Sequence, residues 1–227
     1  MISRRLFSSL AAAATAVTMT LAVAPTSSAA DPAAEQYVAV NANQALQTLS
    51  DRSLTAADRQ ARFRALMQRF ADVPSISNFV LGPAAAQLRA DPALNREWQT
   101  VFMDYSVAVY EDQLDQFRDN EVRVATGTSV ERVPGRDVIV KSTIVPRGAS
   151  QAMPVQWRIV KRGEAWKVVD VSLVLDRNEV WLAQRQQQDF RAILGPRGDV
   201  RALIAAVRGQ TKDMRDRITA RQAGRRA

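Results

Sequence analysis

The sequence predicts an α+β fold, with helices packed against one face of a four-stranded antiparallel sheet. Three observations predict it. Apolar residues recur at helical spacing up to about Phe117, the period changes to two from Glu121 to Val171, and a helical period returns from about Glu179. Strands that follow one another through short turns form a meander, and helices gathered on either side of such a block must bury their stripes against it.

The elements follow in order. Residues 35 to 50 form a first helix, with Tyr37, Val40, Ala45 and Leu49 along one side. Thr55 and Asp58, three apart, make a capping box with Asp in place of Glu. The helix they open carries Phe63, Leu66, Met67 and Phe70 as one stripe. Pro74 and Pro83 each stand where a short helix starts. Asp91-Pro92 opens the longest predicted helix, whose broad face holds Trp98, Phe102, Tyr105, Val109 and Leu114.

A first strand alternates through Val122, Val124, Thr126, Thr128 and Val130, and Pro134-Gly135 is a turn. Val138, Val140, Ser142 and Ile144 make the second strand, closed by Pro146-Arg147-Gly148. Val155, Trp157 and Ile159 mark the third, and the turn Arg162-Gly163-Glu164 leads into the fourth, with Trp166, Val168 and Asp170 on one side. A carboxylate on that side needs a partner, so Asp170 is expected in a salt bridge or hydrogen bond. A helix runs from about Glu179 to Leu194, and a last one begins at Asp199 after Gly195-Pro196-Arg197-Gly198.

Residues 1–30 read as an export signal. Arg4 and Arg5 form a positive start, Leu10 to Ala24 is uncharged and Ala-rich, and Ser28-Ala29-Ala30 supplies the small residues of a cleavage site. Ser3-Arg4-Arg5-Leu6-Phe7 is similar to the twin-arginine signature, although Ser8-Ser9 replaces the usual Leu-Lys, so both that route and the general secretory route stay open. Residues 31–208 form the folded domain, and 209–227 a basic tail with Lys212, Arg215, Arg217, Arg221, Arg225 and Arg226 against Asp213 and Asp216. The tail is expected either as a solvated terminus or as a weakly amphipathic helix, with Met214 and Ile218 four apart, that docks on an anionic surface.

Of the 227 residues, none is Cys or His. Disulfides, thiol nucleophiles, Ser-His-Asp triads and ordinary transition-metal sites are thereby excluded. The formal charge is +8, and +6 once the two leader arginines are removed, an excess that suits an anionic partner. Asp104 and Glu111 stand seven apart on one helix, as a glycosidase-like carboxylate pair could. The run Glu111-Asp112-Gln113-Leu114-Asp115 reads instead as a solvated helix face.

Phe79-Val80-Leu81-Gly82, Tyr110, Gly163 to Val171, Trp181-Leu182-Ala183 and Gly198-Asp199-Val200, taken in order, together resemble the MlaC family, the periplasmic component of a phospholipid ABC transport system, also called toluene-tolerance proteins. Phe79-Val80-Leu81-Gly82 is similar to its F-[VIL]-L-G motif. Tyr110 matches a family Tyr late in the long helix, which follows an F-x-x-x-[FY]-type pattern; here Phe102 is followed by Ser106. Gly163 to Val171 resembles the G-x-x-W-K-[VI]-x-D-V hairpin, and Trp181-Leu182-Ala183, Asp189-Phe190 and Ile193-Leu194 resemble the helix after the sheet. Gly198-Asp199-Val200 with Leu203-Ile204 is similar to the final motif. The resemblance covers roughly residues 35 to 208, with one departure: Leu173 to Glu179 is longer than the family's short E-G connection and has no Gly.

The resemblance implies helices wrapped on a twisted sheet and a deep apolar pocket between them that takes acyl chains. It implies a non-enzymatic carrier that moves phospholipid between outer and inner membranes in the periplasm, with bound lipid as cargo and no cofactor. Its partners would be an inner-membrane ABC complex with an MCE-type subunit and an outer-membrane lipoprotein–porin complex, with no nucleic acid. A cavity is the physical requirement. At about 0.8 kcal/mol per CH₂, a chain of roughly sixteen carbons resists water by more than ~10 kcal/mol. Side chains alone must line the cavity, because a lipid tail satisfies no buried amide. Candidates from the strands are Val138, Val140, Val155, Trp157, Ile159, Trp166 and Val168; from the helices, Phe79, Leu81, Phe102, Tyr105, Val109, Trp181 and Phe190. Plain core packing needs the same pattern. Alternatives are a hopanoid-associated carrier of the same family and a small-molecule enzyme on a cystatin- or NTF2-like scaffold. A nucleic-acid binder suits the charge but not export, and the aromatics fall at buried spacing.

Overall fold

The computed structural model describes residues 30–51, 53–113, 120–145, 151–175 and 178–224. The export signal up to residue 29, the turn Pro146-Arg147-Gly148, and Leu114, Asp115, Phe117, Arg225 and Arg226 lie outside the described residues.

Seven α-helices are described: α1 (Pro32–Ser50), α2 (Ala56–Phe70), α3 (Val73–Leu81), α4 (Ala86–Ala90), α5 (Pro92–Gln113), α6 (Leu182–Leu194) and α7 (Val200–Gly224). A 3₁₀ turn, Gly82–Ala85, joins α3 to α4. Short polar side chains start most of them. Asp31 accepts the Ala34 amide at 2.9 Å, Asp91 the Ala93 and Leu94 amides at 3.0 Å each, and Asp199 the Arg201 amide at 2.9 Å. Thr55 and Asp58 close the expected capping box, with the Asp58 amide 3.1 Å from the Thr55 hydroxyl.

The strands are β1 (Arg123–Val124), β2 (Val130–Val133), β3 (Asp137–Ile144), β4 (Met153–Arg162), β5 (Ala165–Leu175) and β6 (Asn178–Trp181). They form one antiparallel sheet in the order β1-β3-β4-β5-β6, with β2 also paired to β3. The α+β architecture expected from the sequence is present, with two more strands. The first predicted strand is broken because Glu35 of α1 accepts the amides of Gly127, Thr128 and Ser129 at 2.9, 3.1 and 3.0 Å. Amides bound to a carboxylate are lost to a ladder, so β1 and β2 part around them. The sixth strand replaces the predicted start of a helix: residues 178–181 pair back on β5, and α6 begins at Leu182.

A bulge in β5 sets how the sheet meets the helices. Arg158 of β4 pairs with Asp170 but Ile159 pairs with Val168, so Val169 is the extra residue. Beyond it the alternation is reversed. Trp166 and Val168 share a face with Val171 and Leu173, while Asp170 shares the opposite face with Arg158. The placement of Asp170 beside Trp166 and Val168, expected from strict alternation, is corrected by this bulge. The carbonyl of Val168 accepts the Asp72 amide at 2.9 Å, which ties the α2–α3 junction to the strand.

Residues 209–224 are not a separate tail; α7 runs through them. Thr211, Met214 and Ile218 are buried. Arginines pair across to α5: Arg208 with Glu97 at 2.9 Å, Arg215 with Asp104 at 3.8 Å, and Arg217 and Arg221 with Asp112. The boundary expected after Arg208 therefore falls inside a packed helix. Glu111 is not on a solvated face either. It is buried, it accepts the Gln60 amide at 2.8 Å, and its Oε1 has no hydrogen-bond partner among the described residues.

Candidate functional site

Two apolar clusters adjoin. In the first, α1 lays Val38, Ala42 and Leu46 over the sheet, where Val138, Val140, Val155, Ile159, Trp166 and Val168 are buried with Phe70 of α2. Register explains the grouping: Val138 faces Ile159, Val140 faces Trp157, and Trp157 faces Val171. Val138, Val140 and Ile159 have no exposed surface. Trp157 stands at the margin, half-buried, with its Nε1 donating to the buried Ser142 hydroxyl at 2.8 Å and its ring 5.9 Å from Phe70.

The second cluster is helical and holds Leu81, Phe102 and Phe190 around Trp98. The Trp98 ring lies 5.4 Å from Phe102 and 5.9 Å from Phe190, and its Nε1 donates to the Ser77 carbonyl at 3.0 Å. Tyr105 packs at its margin, 5.8 Å from Phe190.

Half-buried residues line the edges of both clusters: Tyr105 and Tyr110 of α5 pack against the helical one, Trp157, Val171 and Leu173 against the sheet one, and Val109 of α5 is half-buried outside both. Burial pushes the Tyr110 phenol up to about 12, with the nearby Asp170 carboxylate and Tyr105 adding to the shift. Burial also raises Tyr105. Tyr37, whose hydroxyl donates to the Phe70 carbonyl at 2.9 Å, is likewise pushed up to about 12 by burial.

Asp170 lies near Tyr110, on the face of β5 opposite Val171 and Leu173. Its Oδ1 accepts the Val171 amide at 2.8 Å and the Ala183 amide at 2.9 Å, so the expected hydrogen bond is present. Burial raises its carboxyl above the ordinary aspartate value, against the amides of Ala183 and Val171 and the charge of Arg158. Arg158 is itself committed to Asp137, through Nε at 3.2 Å and a second nitrogen at 2.9 Å.

The sequence-picked residues therefore divide. Six sheet residues and three helical ones are buried in the two clusters, and Trp157 and Tyr105 sit at their margins. Val109 and Trp181 are half-buried outside both. Phe79 stands apart, 46% exposed, because α3 buries Ser77, Val80 and Leu81 on its other side. Tyr110, Phe70, Val171 and Leu173 are not among the lining residues that the sequence points to. Tyr110 was visible as a motif residue, whereas Val171 and Leu173 join the inner face only through the bulge. A shallow groove on the outer side of α1, lined by Ala39, Val40, Asn43, Gln44 and Gln47, holds none of these residues. Among the described residues no group of His, Cys, Asp or Glu is placed to hold a metal ion, and no helix is long and apolar enough to cross a membrane.

The chain matches a known family and solved structures. A family model described as MlaC protein matches residues 39–209. A solved structure of a phospholipid-binding protein from Ralstonia solanacearum, in complex with a phospholipid, superposes with a TM-score of 0.66 at 20% identity. The match covers 82% of this chain and 99% of that one. No curated protein matches the chain.

Proposed function

We propose, from the premise that the chain belongs to the MlaC protein family, that it is a phospholipid-binding carrier rather than an enzyme. The observation that carries this reading is the set of half-buried apolar and aromatic side chains at the edges of the two clusters, Tyr105 and Tyr110 on α5 and Trp157, Val171 and Leu173 on the sheet. Half-buried apolar residues of this kind suit hydrocarbon. The Ralstonia solanacearum protein of the same fold is in complex with a phospholipid, which supports that ligand class.

The finer reading is a periplasmic shuttle between outer and inner membranes. The leader would be removed at Ala30, and the carrier would serve an inner-membrane ABC-type complex and an outer-membrane lipoprotein–porin complex. Lipid is cargo, and no cofactor takes part. The carboxylates with catalytic spacing have other work: Asp104 pairs with Arg64 and Arg215, and Glu111 holds Gln60. The site consists of Tyr105, Val109, Tyr110, Trp157, Val171 and Leu173, backed by the two buried clusters.

Native mass spectrometry of gently purified protein tests the reading. A mass adduct of diacyl-phospholipid size is expected. Protein that is fully apo, and that also takes no lipid from vesicles, overturns it. Sequencing the N-terminus of protein from a periplasmic fraction tests export, with Asp31 expected first. Full-length chain confined to the cytosol refutes the location.

A further inference from the structure

We propose that the end of the helical layer around the 3₁₀ turn Gly82–Ala85 is a docking surface for anionic phospholipid bilayers. The proposal rests on the carrier reading and names the surface at which lipid is met. Three segments meet there. Gln187 of α6 donates to the Phe79 carbonyl at 2.6 Å and is 3.6 Å from where a side chain on Gly82 would begin. Gln87 of α4 donates to the Gly198 carbonyl at 2.6 Å, which lays the α6–α7 turn against α4. Arg191 follows Gln187 by one helical turn, so it shares the α6 face that fronts the 3₁₀ turn. Arg197 adjoins Gly198, and Arg89 stands on α4 on the other flank of the buried Leu88 from Gln87.

Arg89, Arg191 and Arg197 are all exposed, and none has an ion pair among the described residues. The contrast is with α7, where Arg208, Arg215, Arg217 and Arg221 are matched by carboxylates of α5. The nearby acids are already engaged. Asp91 pairs with Arg201 and caps α5, Asp199 caps α7, and Asp189 pairs with Arg185. Beside this positive rim stands Phe79, 46% exposed, with Pro83 and Ala86 exposed behind it. Arginines meet phosphodiesters while an aromatic ring enters the acyl boundary, and that pairing is how a peripheral surface holds a charged bilayer. The bilayer is the occupant that the carrier reading supplies, since the cargo resides there; an acidic protein surface would match the charges, and absence of vesicle binding in the test below would point to it.

Vesicle flotation of protein recovered in its processed form tests the proposal. Vesicles are phosphatidylcholine alone, or equal parts phosphatidylcholine and phosphatidylglycerol. Binding to the mixed vesicles is expected, with little to phosphatidylcholine, and it should fall as salt is raised. Changing Arg89, Arg191 and Arg197 together to Gln should weaken it roughly a hundredfold, given three surface charges. Phe79→Ser should weaken it several-fold. A charge-matched control, Arg62, Arg136 and Lys141 to Gln, should keep most of the binding. Equal loss in the control overturns the proposal, because net charge alone is then responsible. So does absence of vesicle binding, or binding unchanged in the triple variant. Lipid adducts measured on the same preparations separate the two readings: an undiminished adduct with no vesicle binding removes the docking surface and leaves the carrier.

Discussion

The carboxylate of Asp170, on β5, lies 2.9 Å from the backbone amide of Ala183, in the first turn of α6. Trp181, the residue in the N-cap position of that helix, makes no capping hydrogen bond from its side chain. A strand therefore caps a helix from across the connection, and the contact fixes where α6 leaves the sheet. Asp170→Ala removes the acceptor and should cost about 1 kcal/mol, typical of a lost cap. Asp170→Asn keeps an acceptor oxygen and should cost less. Burial holds the Asp170 carboxyl above its ordinary value, so its ionised form is the disfavoured one. Stability linked to it is greatest below the ordinary aspartate range and declines as pH rises through the raised value. Denaturant midpoints across that range should show the decline in the native protein and not in Asp170→Asn.

Glu35 gives the opposite slope. Burial alone would raise its carboxyl, but the amides of Gly127, Ser129 and Thr128, with the Ser129 hydroxyl, hold it below the usual value. Its contribution is present above the ordinary glutamate value and is lost as pH falls through the lowered one. Glu35→Gln leaves amides of the β1–β2 connection with a poorer acceptor. It should cost about 1–3 kcal/mol at neutral pH and flatten the acid limb of the midpoint–pH curve.

Val140 and Val109 separate core from cavity. Val140 is wholly buried under α1, so Val140→Trp should overpack and cost roughly 1–3 kcal/mol or more. Val109 is half-buried outside both apolar clusters. Val109→Trp should leave the midpoint of lipid-free protein nearly unchanged while the lipid load falls. Lost stability at Val109 with lipid intact would move the site away from α5.

The α5–α7 contact is predicted to depend on its apolar residues, not on its ion pairs. Arg221→Gln breaks a partly exposed pair and should cost at most ~1 kcal/mol. Ile218→Ala removes a buried side chain and should cost about 2–5 kcal/mol. Thermal or denaturant unfolding of the two variants compares them directly.

Much of this was legible in the residues. Thr55–Asp58 marked the start of α2 and Asp91-Pro92 that of α5, because capping chemistry is local and is written within four residues. The inner faces of β3 and β4 followed from strict alternation. Long-range contacts were not legible. Nothing beside Gly127 announces that Glu35, some ninety positions away, takes its amide. Val168's carbonyl turns to Asp72 at the bulge, so alternation fails from Asp170 onward and Val171 joins the face opposite the one alternation predicts. Phe79 reads as lining because its motif is apolar throughout; in α3 its side stays exposed while Ser77, Val80 and Leu81 are buried.

The pairing of α5 with α7 also orders the life of the newly made chain. Asp112 meets Arg221 across 109 positions, so the part of α5 that α7 covers stays open until α7 has been made. A ribosome-bound chain presents that part to chaperones until then, and α7 withdraws it. Truncation before Met214 would remove the buried Met214 and Ile218 from the helix that covers α5, and such fragments should be cleared by proteolysis instead of accumulating. Concealment of that surface is thereby coupled to synthesis of α7.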